Sequence, residues 1–144
     1  MAGKVNKIIT GLLLLTAVGT IVGYCLWNKP HENIASAKGI KIPAAALLQV
    51  FIADSTGANK KYYQQVLEVT GMVKSVSKNL QNQTVVILKT NTEGSYINCT
   101  MEGVAENIKE GSSVIIKGVC QGIQGDADLG IMGDVYLIRC YIPG

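Results

Sequence analysis

The sequence predicts a mainly β fold: a five-stranded barrel entered through N-terminal helices and preceded by a single transmembrane helix. Three observations predict it. Ile8 to Trp27 runs without a charged residue and is dense in Leu, Ile and Val. After a polar interval, apolar residues first recur four apart, as on a helix, and then alternate, as on strands. The strand-like segments fall in the order three, a short helical stretch, then two.

The first seven residues form a short tail carrying Lys4 and Lys7. Residues 8–27 follow as the spanning segment. As a helix they reach about 30 Å, the hydrocarbon thickness of a bilayer. Such a helix satisfies its own backbone hydrogen bonds, so membrane lipid is its expected partner. A cleaved signal peptide has a shorter apolar core, and the nearest small-residue site, Ala35-Ser36-Ala37, lies well past Trp27. A lipoprotein signal would use Cys25, but the bulky Tyr24 precedes it. The retained signal anchor fits best. Tyr24 and Trp27 suit the interfacial belt, and Lys7 and Lys29 bracket the span. Lysines are nearly balanced across it; the N-terminal position favours a single-pass protein with its C-terminal domain outside the cytoplasm, in the periplasm. Gly19-x-x-x-Gly23, with Thr16 and Thr20 nearby, is a possible helix-dimer face, although glycine is common in spanning helices.

Residues 28–42 (NKPHENIASAKGIKI) are polar, lack a period and read as a linker. His31, the one histidine of the chain, falls in this linker and so provides no base for the following domain. The domain at 43–144 starts with Pro43 opening a helix. Leu47 with Phe51 and Leu48 with Ile52 form its apolar stripe. A second helical stretch over residues 58–63 is expected to be capped by Ser55 or Thr56.

Strands follow. Val66 to Val73 alternates, with Leu67, Val69, Gly71 and Val73 inward, and Gly71 suggests the bend that closing a small barrel requires. Residues 78–82 form a loop, 84–89 a second strand, 91–94 a turn and 95–101 a third strand. Residues 104–109 are expected as a short helix, 113–121 as a fourth strand, 122–133 as a Gly- and Asp-rich loop, and 134–142 as a fifth strand. Three strands, a helix and two strands is the order of an OB-fold barrel.

Several stretches resemble the bacterial tRNA_anti-like OB-fold family: Lys29-Pro30-His31, Ala58-Asn59-Lys60-Lys61-Tyr62, Val66-Leu67-Glu68-Val69-x-Gly71-x-Val73, and Lys117-Gly118-x-Cys120-x-Gly122. The resemblance covers nearly the whole chain, rests on short and mainly structural motifs, and implies the fold without implying an activity. Pro43 departs from it by standing where a Ser or Thr cap would be usual.

Charge and residue type narrow the function. The chain carries a formal +3, but from Pro43 onward eight Lys and Arg face nine Asp and Glu, so the domain is not basic. A nucleic-acid binder would need a positive, aromatic face on the second and third strands, where Lys89 and Tyr96 stand nearly alone. Lys60 and Lys61, with Lys74 and Lys78, flank the first strand as a solvated face. Strand parity turns Cys99, Cys120 and Cys140 inward if Lys117 and Arg139 face water. A hairpin centred near Gly130 would set Cys120 opposite Cys140 as a candidate disulfide pair, against the alternative of buried thiols acting as small hydrophobes. No C-x-x-C accompanies a histidine, so neither a metal site nor a cysteine nucleophile is expected. Asp126-x-Asp128-x-Gly130 with Asp134 lacks the Gly and Glu positions of a calcium loop. No catalytic residue and no cofactor is assigned. The expectation is a non-catalytic, membrane-anchored binding or interaction module of the cell envelope, its ligand an envelope protein or a small molecule. A single-stranded nucleic-acid binder by fold analogy is the alternative.

Overall fold

A computed structural model describes residues 2–28, 33–103, 105–125, 129 and 132–144. The chain divides into two compact units, Met1–Glu32 and Asn33–Gly144. The first is helix α1 (Ala2–Trp27). It begins before Ile8, because a helix nucleated by the apolar block extends at little cost through Lys4, Val5 and Lys7. Residues Gly3–Trp27 have mean hydropathy 2.0 with none of the window buried, so the helix is long and apolar enough to cross a membrane. Its hydroxyls are satisfied within the helix: Thr16 Oγ1 donates to Leu13 O at 2.9 Å and Thr20 Oγ1 to Ala17 O at 2.9 Å. Gly19 and Gly23 lie on this helix with open space around them. Lys29 and His31 lie outside the described residues.

The second unit is a closed five-stranded barrel with one extra strand and two helices. Its elements are β1 (Ile40–Pro43), α2 (Ala44–Ala53), α3 (Ser55–Tyr62), β2 (Val66–Lys78), β3 (Thr84–Leu88), β4 (Ile97–Met101), β5 (Ser113–Gln124) and β6 (Asp134–Tyr141). The order β1-β2-β3-β4-β6-β5 closes through β2 and β5. Strand β2 makes the closure by changing partner along its length. Val66 to Met72 pair with β5, and Val73 to Lys78 pair with β3, with a bulge between Val73 and Ser75. Gly71 sits at the change. A Cβ there would stand 3.0 Å from Ala44 Cβ and 3.2 Å from Leu88 Cδ1, so its lack of a side chain lets α2 seat against the bend. Strand β4 runs parallel to β6.

The core fills from both layers. Leu67, Val69, Val73, Val86, Leu88, Ile97, Ile116, Val135 and Leu137 point inward from the strands and are fully buried. Leu47, Leu48 and Phe51 of α2 add to them, and Phe51 meets Tyr62 of α3 at 6.3 Å between ring centroids. Fully burying side chains of this size contributes about 1.5–3 kcal/mol each, before chain entropy is set against it.

The structure departs from the sequence reading at several elements. The linker reading fails for its second half: Ile40–Pro43 is a strand paired parallel to β2, and Ile34 is 2% exposed. Lys117 also holds the residues before β1. It does lie on the outward face of β5, but residues 33–37 cover it, and its Nζ donates to Ala37 O at 2.9 Å and Ala35 O at 3.3 Å. Pro43 ends β1 and caps α2 rather than forming its first turn. Ile52 is 45% exposed, so α2 buries a narrower stripe than expected. The cap of α3 is Asp54, whose carboxylate accepts from Gly57 N at 3.0 Å.

The expected helix at 104–109 is replaced by turns among the described residues. Asn107 at φ 70° and Gly111 at φ 79° are left-handed, and so short a segment cannot repay helix nucleation. The apolar residues of α2 supply barrel core instead. The candidate pair Cys120 and Cys140 is also corrected. Cys120 faces Leu137, and the left-handed Arg139 (φ 53°) bulges β6, so Cys140 comes against Gly118 of β5 and Met101 of β4. Both thiols are free and buried, as is Cys99. The Asp126, Asp128 and Gly130 positions lie outside the described residues.

Candidate functional site

OB-folds commonly bind ligands on the outer face of their second and third barrel strands, here β3 and β4. Alternation fixes which side chains reach that face. On β3, Val86 and Leu88 are inward, so Val85, Ile87 and then Lys89 are outward. On β4, Ile97 and Cys99 are inward, so Tyr96, Asn98 and Thr100 are outward. Ile87 pairs with Asn98, and Asn98 with Tyr136 of β6, which continues the row around the barrel.

Tyr96 is the centre of this face. Lys74, from the bulged part of β2, holds its ammonium 3.6 Å from the Tyr96 ring centroid. That contact orients the ring and costs Lys74 little hydration. Asp134, the first residue of β6, fixes the other side. It accepts from Tyr96 N at 2.8 Å and from Asn98 Nδ2 at 2.7 Å, so one carboxylate ties the starts of two parallel strands.

The loop after β3 completes a cleft of about 270 Å³, lined by Lys74, Lys89 and Tyr96 with residues 90–93. Thr90 braces the loop, donating to Ser95 O at 2.6 Å and accepting from Thr92 N at 3.2 Å. Gln49 of α2 reaches Thr92 Oγ1 at 3.2 Å. Ser95 is fully buried, and its hydroxyl finds no hydrogen-bond partner among the described residues.

The lining is mixed in charge. Lys74 and Lys89 share the cleft with Glu93, and Asp134 is bonded to the Tyr96 backbone, so the cleft is polar and aromatic rather than strongly cationic. The sequence reading located Lys89 and Tyr96 here and expected Lys74 in a solvated patch; the structure brings all three together. It missed Asp134 as a support and Tyr136 as a neighbour, because neither is visible until β6 is known to lie beside β4. Lys78 lies in another cleft, with Glu102, and Lys60 in a third with Tyr63, so the lysines do not form one patch. Lys61 lies over the Tyr62 ring at 5.1 Å.

Two of the buried thiols are held toward the neutral form. Burial, then the neighbouring Cys99 side chain, pushes the Cys140 thiol well above its ordinary value, and burial raises Cys120 despite the hydrogen bond from Gly122 N. Near the end of β6 the Tyr141 phenol is raised chiefly by its hydrogen bond with Glu102, which also pairs with Arg139 Nε at 3.3 Å.

No curated protein matches the chain by sequence. Among solved structures, the chain resembles one described as a "putative nucleic acid-binding lipoprotein" from Klebsiella pneumoniae, at TM-score 0.53 and 15% identity, covering 81% of this chain and 100% of that one. A likeness at that identity speaks to the fold. A "putative aspartyl-tRNA synthetase" from Leishmania major aligns at TM-score 0.38 and 7% identity, covering 80% of this chain and 22% of the other. The sequence matches the tRNA_anti-like family over residues 1–130, which together with the barrel establishes that the chain belongs to the tRNA_anti-like family.

Proposed function

We propose that this protein is a non-catalytic binding module of the bacterial cell envelope, held at the membrane by α1, with its ligand seated around Tyr96 on the outer face of β3 and β4. The observation that carries this reading is the cleft itself. An aromatic ring under the Lys74 ammonium, on a backbone fixed by Asp134 and flanked by Lys89, Asn91 and Thr92, is built for stacking and hydrogen bonding. The Glu93 carboxylate beside its two lysines favours an envelope protein or a small polar ligand over a polyanion. Anchoring the barrel beside the membrane raises its effective concentration toward other envelope components. The domain's place outside the cytoplasm is part of the same proposal.

The test is site-specific photocrosslinking in intact membranes. A photoreactive aromatic replaces Tyr96 in one variant and the exposed Glu106 in another. The reading expects one envelope product captured from position 96 and not from 106. Equal capture at both positions refutes it.

A single-stranded nucleic-acid binder is the second reading, favoured by the Lys74–Tyr96 stack and by Lys89 at the expected place on the fold. Two lysines can neutralise two phosphates, which gives a slope of log affinity against log salt near −1.4. A slope several times steeper on the full chain would place a polyanion on a far more basic surface than this face and overturn the ranking.

A further inference from the structure

A second cleft, of about 420 Å³, lies where the end of α3 meets β5 and is lined by Asn59, Lys60, Tyr63, Gln121 and Ile123. We infer that it is a glycan-binding site, fitted to an acetamido sugar that lies on the Tyr63 ring. The inference is independent of the Tyr96 face.

The backbone around this cleft is held in unusual conformations. Helix α3 ends as Tyr63 N donates to Asn59 O at 2.9 Å, and the next residue, Gln64, is left-handed at φ 58°. Gln64 is kept there by its N–H, which donates to Cys120 O at 2.8 Å, and Cys120 N returns a bond to Gln65 O at 3.0 Å. On the facing strand, β5 bulges between Cys120 and Gly122, and Gly122 is left-handed at φ 86°. A Cβ on Gly122 would come 2.6 Å from Asn59 Oδ1, so only glycine lets the Asn59 amide settle there. Left-handed positions of this kind persist only where the surroundings over-determine them, and they cluster at ligand clamps. Bulges likewise re-aim side chains. Here they leave Tyr63 47% exposed beside Gln121 and Ile123.

The lining chemistry selects the ligand. The Asn59 and Gln121 carboxamides each offer both a donor and an acceptor, matching the dual character of sugar hydroxyls and of an acetamido group. Among the described residues the Gln121 amide makes a long 3.5 Å contact to its neighbour's carbonyl, which leaves it able to turn to a ligand. The Tyr63 ring supplies an apolar surface with a polar tip, suited to the C–H face of a pyranose, and Ile123 extends it. Among the described residues of the lining Lys60 is the one cation, and none is a carboxylate. A nucleotide would also stack, but a strand of phosphates would meet a single ammonium.

The experiment titrates the full chain, in a detergent without a sugar headgroup, with chitotetraose as the probe. Binding is read by calorimetry and by saturation-transfer NMR. Saturable binding is expected, weakened at least tenfold by Tyr63→Ala and several-fold by Gln121→Ala. Tyr63→Phe is expected to retain it, which guards against loss through misfolding, and Tyr96→Ala is expected to leave it unchanged. The inference is overturned by an absence of saturable binding up to millimolar probe, by binding indifferent to Tyr63→Ala, or by a single-stranded oligonucleotide that displaces the probe more tightly than the glycan binds.

Discussion

Gly118→Ala tests the packing of the barrel seam. Gly118 is buried on β5, beneath the bulge that Arg139 puts into β6. A Cβ there would overlap Cys140 Sγ, and would stand 3.2 Å from Ile138 O and 3.4 Å from Cys140 Cβ. The neighbouring backbone is held by ladder bonds on both sides of β5, so it yields little. Overpacking of this kind costs about 1–3 kcal/mol. Cys140→Ala, at a residue that is 0% exposed, removes one sulfur and leaves a small void, at about 1–2 kcal/mol. Independent effects would sum to roughly 2–5 kcal/mol in the double variant. The overlap, however, is with the very atom that Cys140→Ala deletes. The double variant should therefore be about as stable as Cys140→Ala alone, with a coupling of about 1–3 kcal/mol, the cost of Gly118→Ala itself. Urea titration of the detergent-solubilised chain, followed by the far-ultraviolet signal of the strands at constant m, measures the cycle. Additivity within about 0.5 kcal/mol would refute the packing argument, as would a neutral Gly118→Ala.

Lys117→Met should cost about 1–2 kcal/mol and free residues 33–37, so that trypsin cleaves faster after the exposed Lys38 and Lys41; an unchanged cleavage rate would show that the ammonium does not hold that segment. Ser95→Ala removes a buried hydroxyl with no partner among the described residues and should be neutral or stabilising by up to about 1 kcal/mol; a clear loss of stability would reveal a partner. The raised Cys140 and Cys120 thiols make stability depend on pH in the alkaline range. The unfolded thiols ionise near 9.0 while the folded ones stay neutral, so the contribution is intact below that value and is lost as pH rises above it toward the folded values. Urea midpoints should fall from roughly pH 8 to pH 10, and by less in Cys140→Ala; equal midpoints would contradict the burial argument.

The elements whose pattern repeats were legible. Alternation exposed the inward rows of β2 to β6, because one buried face imposes a period of two on the residues that fill it. Parity also turned Cys99, Cys120 and Cys140 inward correctly. What failed depends on single residues. Arg139 and Gly122 each break the register of a strand, and the partner of Cys120 is Leu137, three residues short of the Cys140 that a regular hairpin centred near Gly130 would set there. Residues 33–37 have no period, and they attach to the barrel through one buried isoleucine, Ile34, and the bonds from Lys117, so a polar composition suggested a tether. The segment after Met101 has helix-forming residues but too few of them. At the site, Lys89 and Tyr96 were visible as polar residues at strand ends. Asp134 was not, because its role follows from a parallel pairing of β4 with β6 whose register the sequence does not state.

Asp134 also decides how the domain's charge bears on its ligand. A net charge near zero over the domain is an average, and an average leaves room for a local basic patch. The structure narrows that room at the Tyr96 face, where Asp134 holds one backbone and one side-chain donor and Glu93 lines the cleft with Lys74 and Lys89. Because the carboxylate holds Tyr96 in place, it cannot be dispensed with to admit phosphate. Asp134→Asn separates the two roles. The amide oxygen can still accept from Tyr96 N, while the amide nitrogen opposes Asn98 Nδ2, so one of two charge-assisted bonds is lost and stability falls by about 1.5–3 kcal/mol. The face then carries Lys74 and Lys89 against Glu93 alone. If the carboxylate is what keeps polyanions away, this variant binds a single-stranded oligonucleotide more tightly than the native chain does at low salt, and the gain vanishes as salt screens it. Weaker oligonucleotide binding by Asp134→Asn, with the barrel still folded, would mean that Asp134 builds a nucleic-acid face instead of guarding against one.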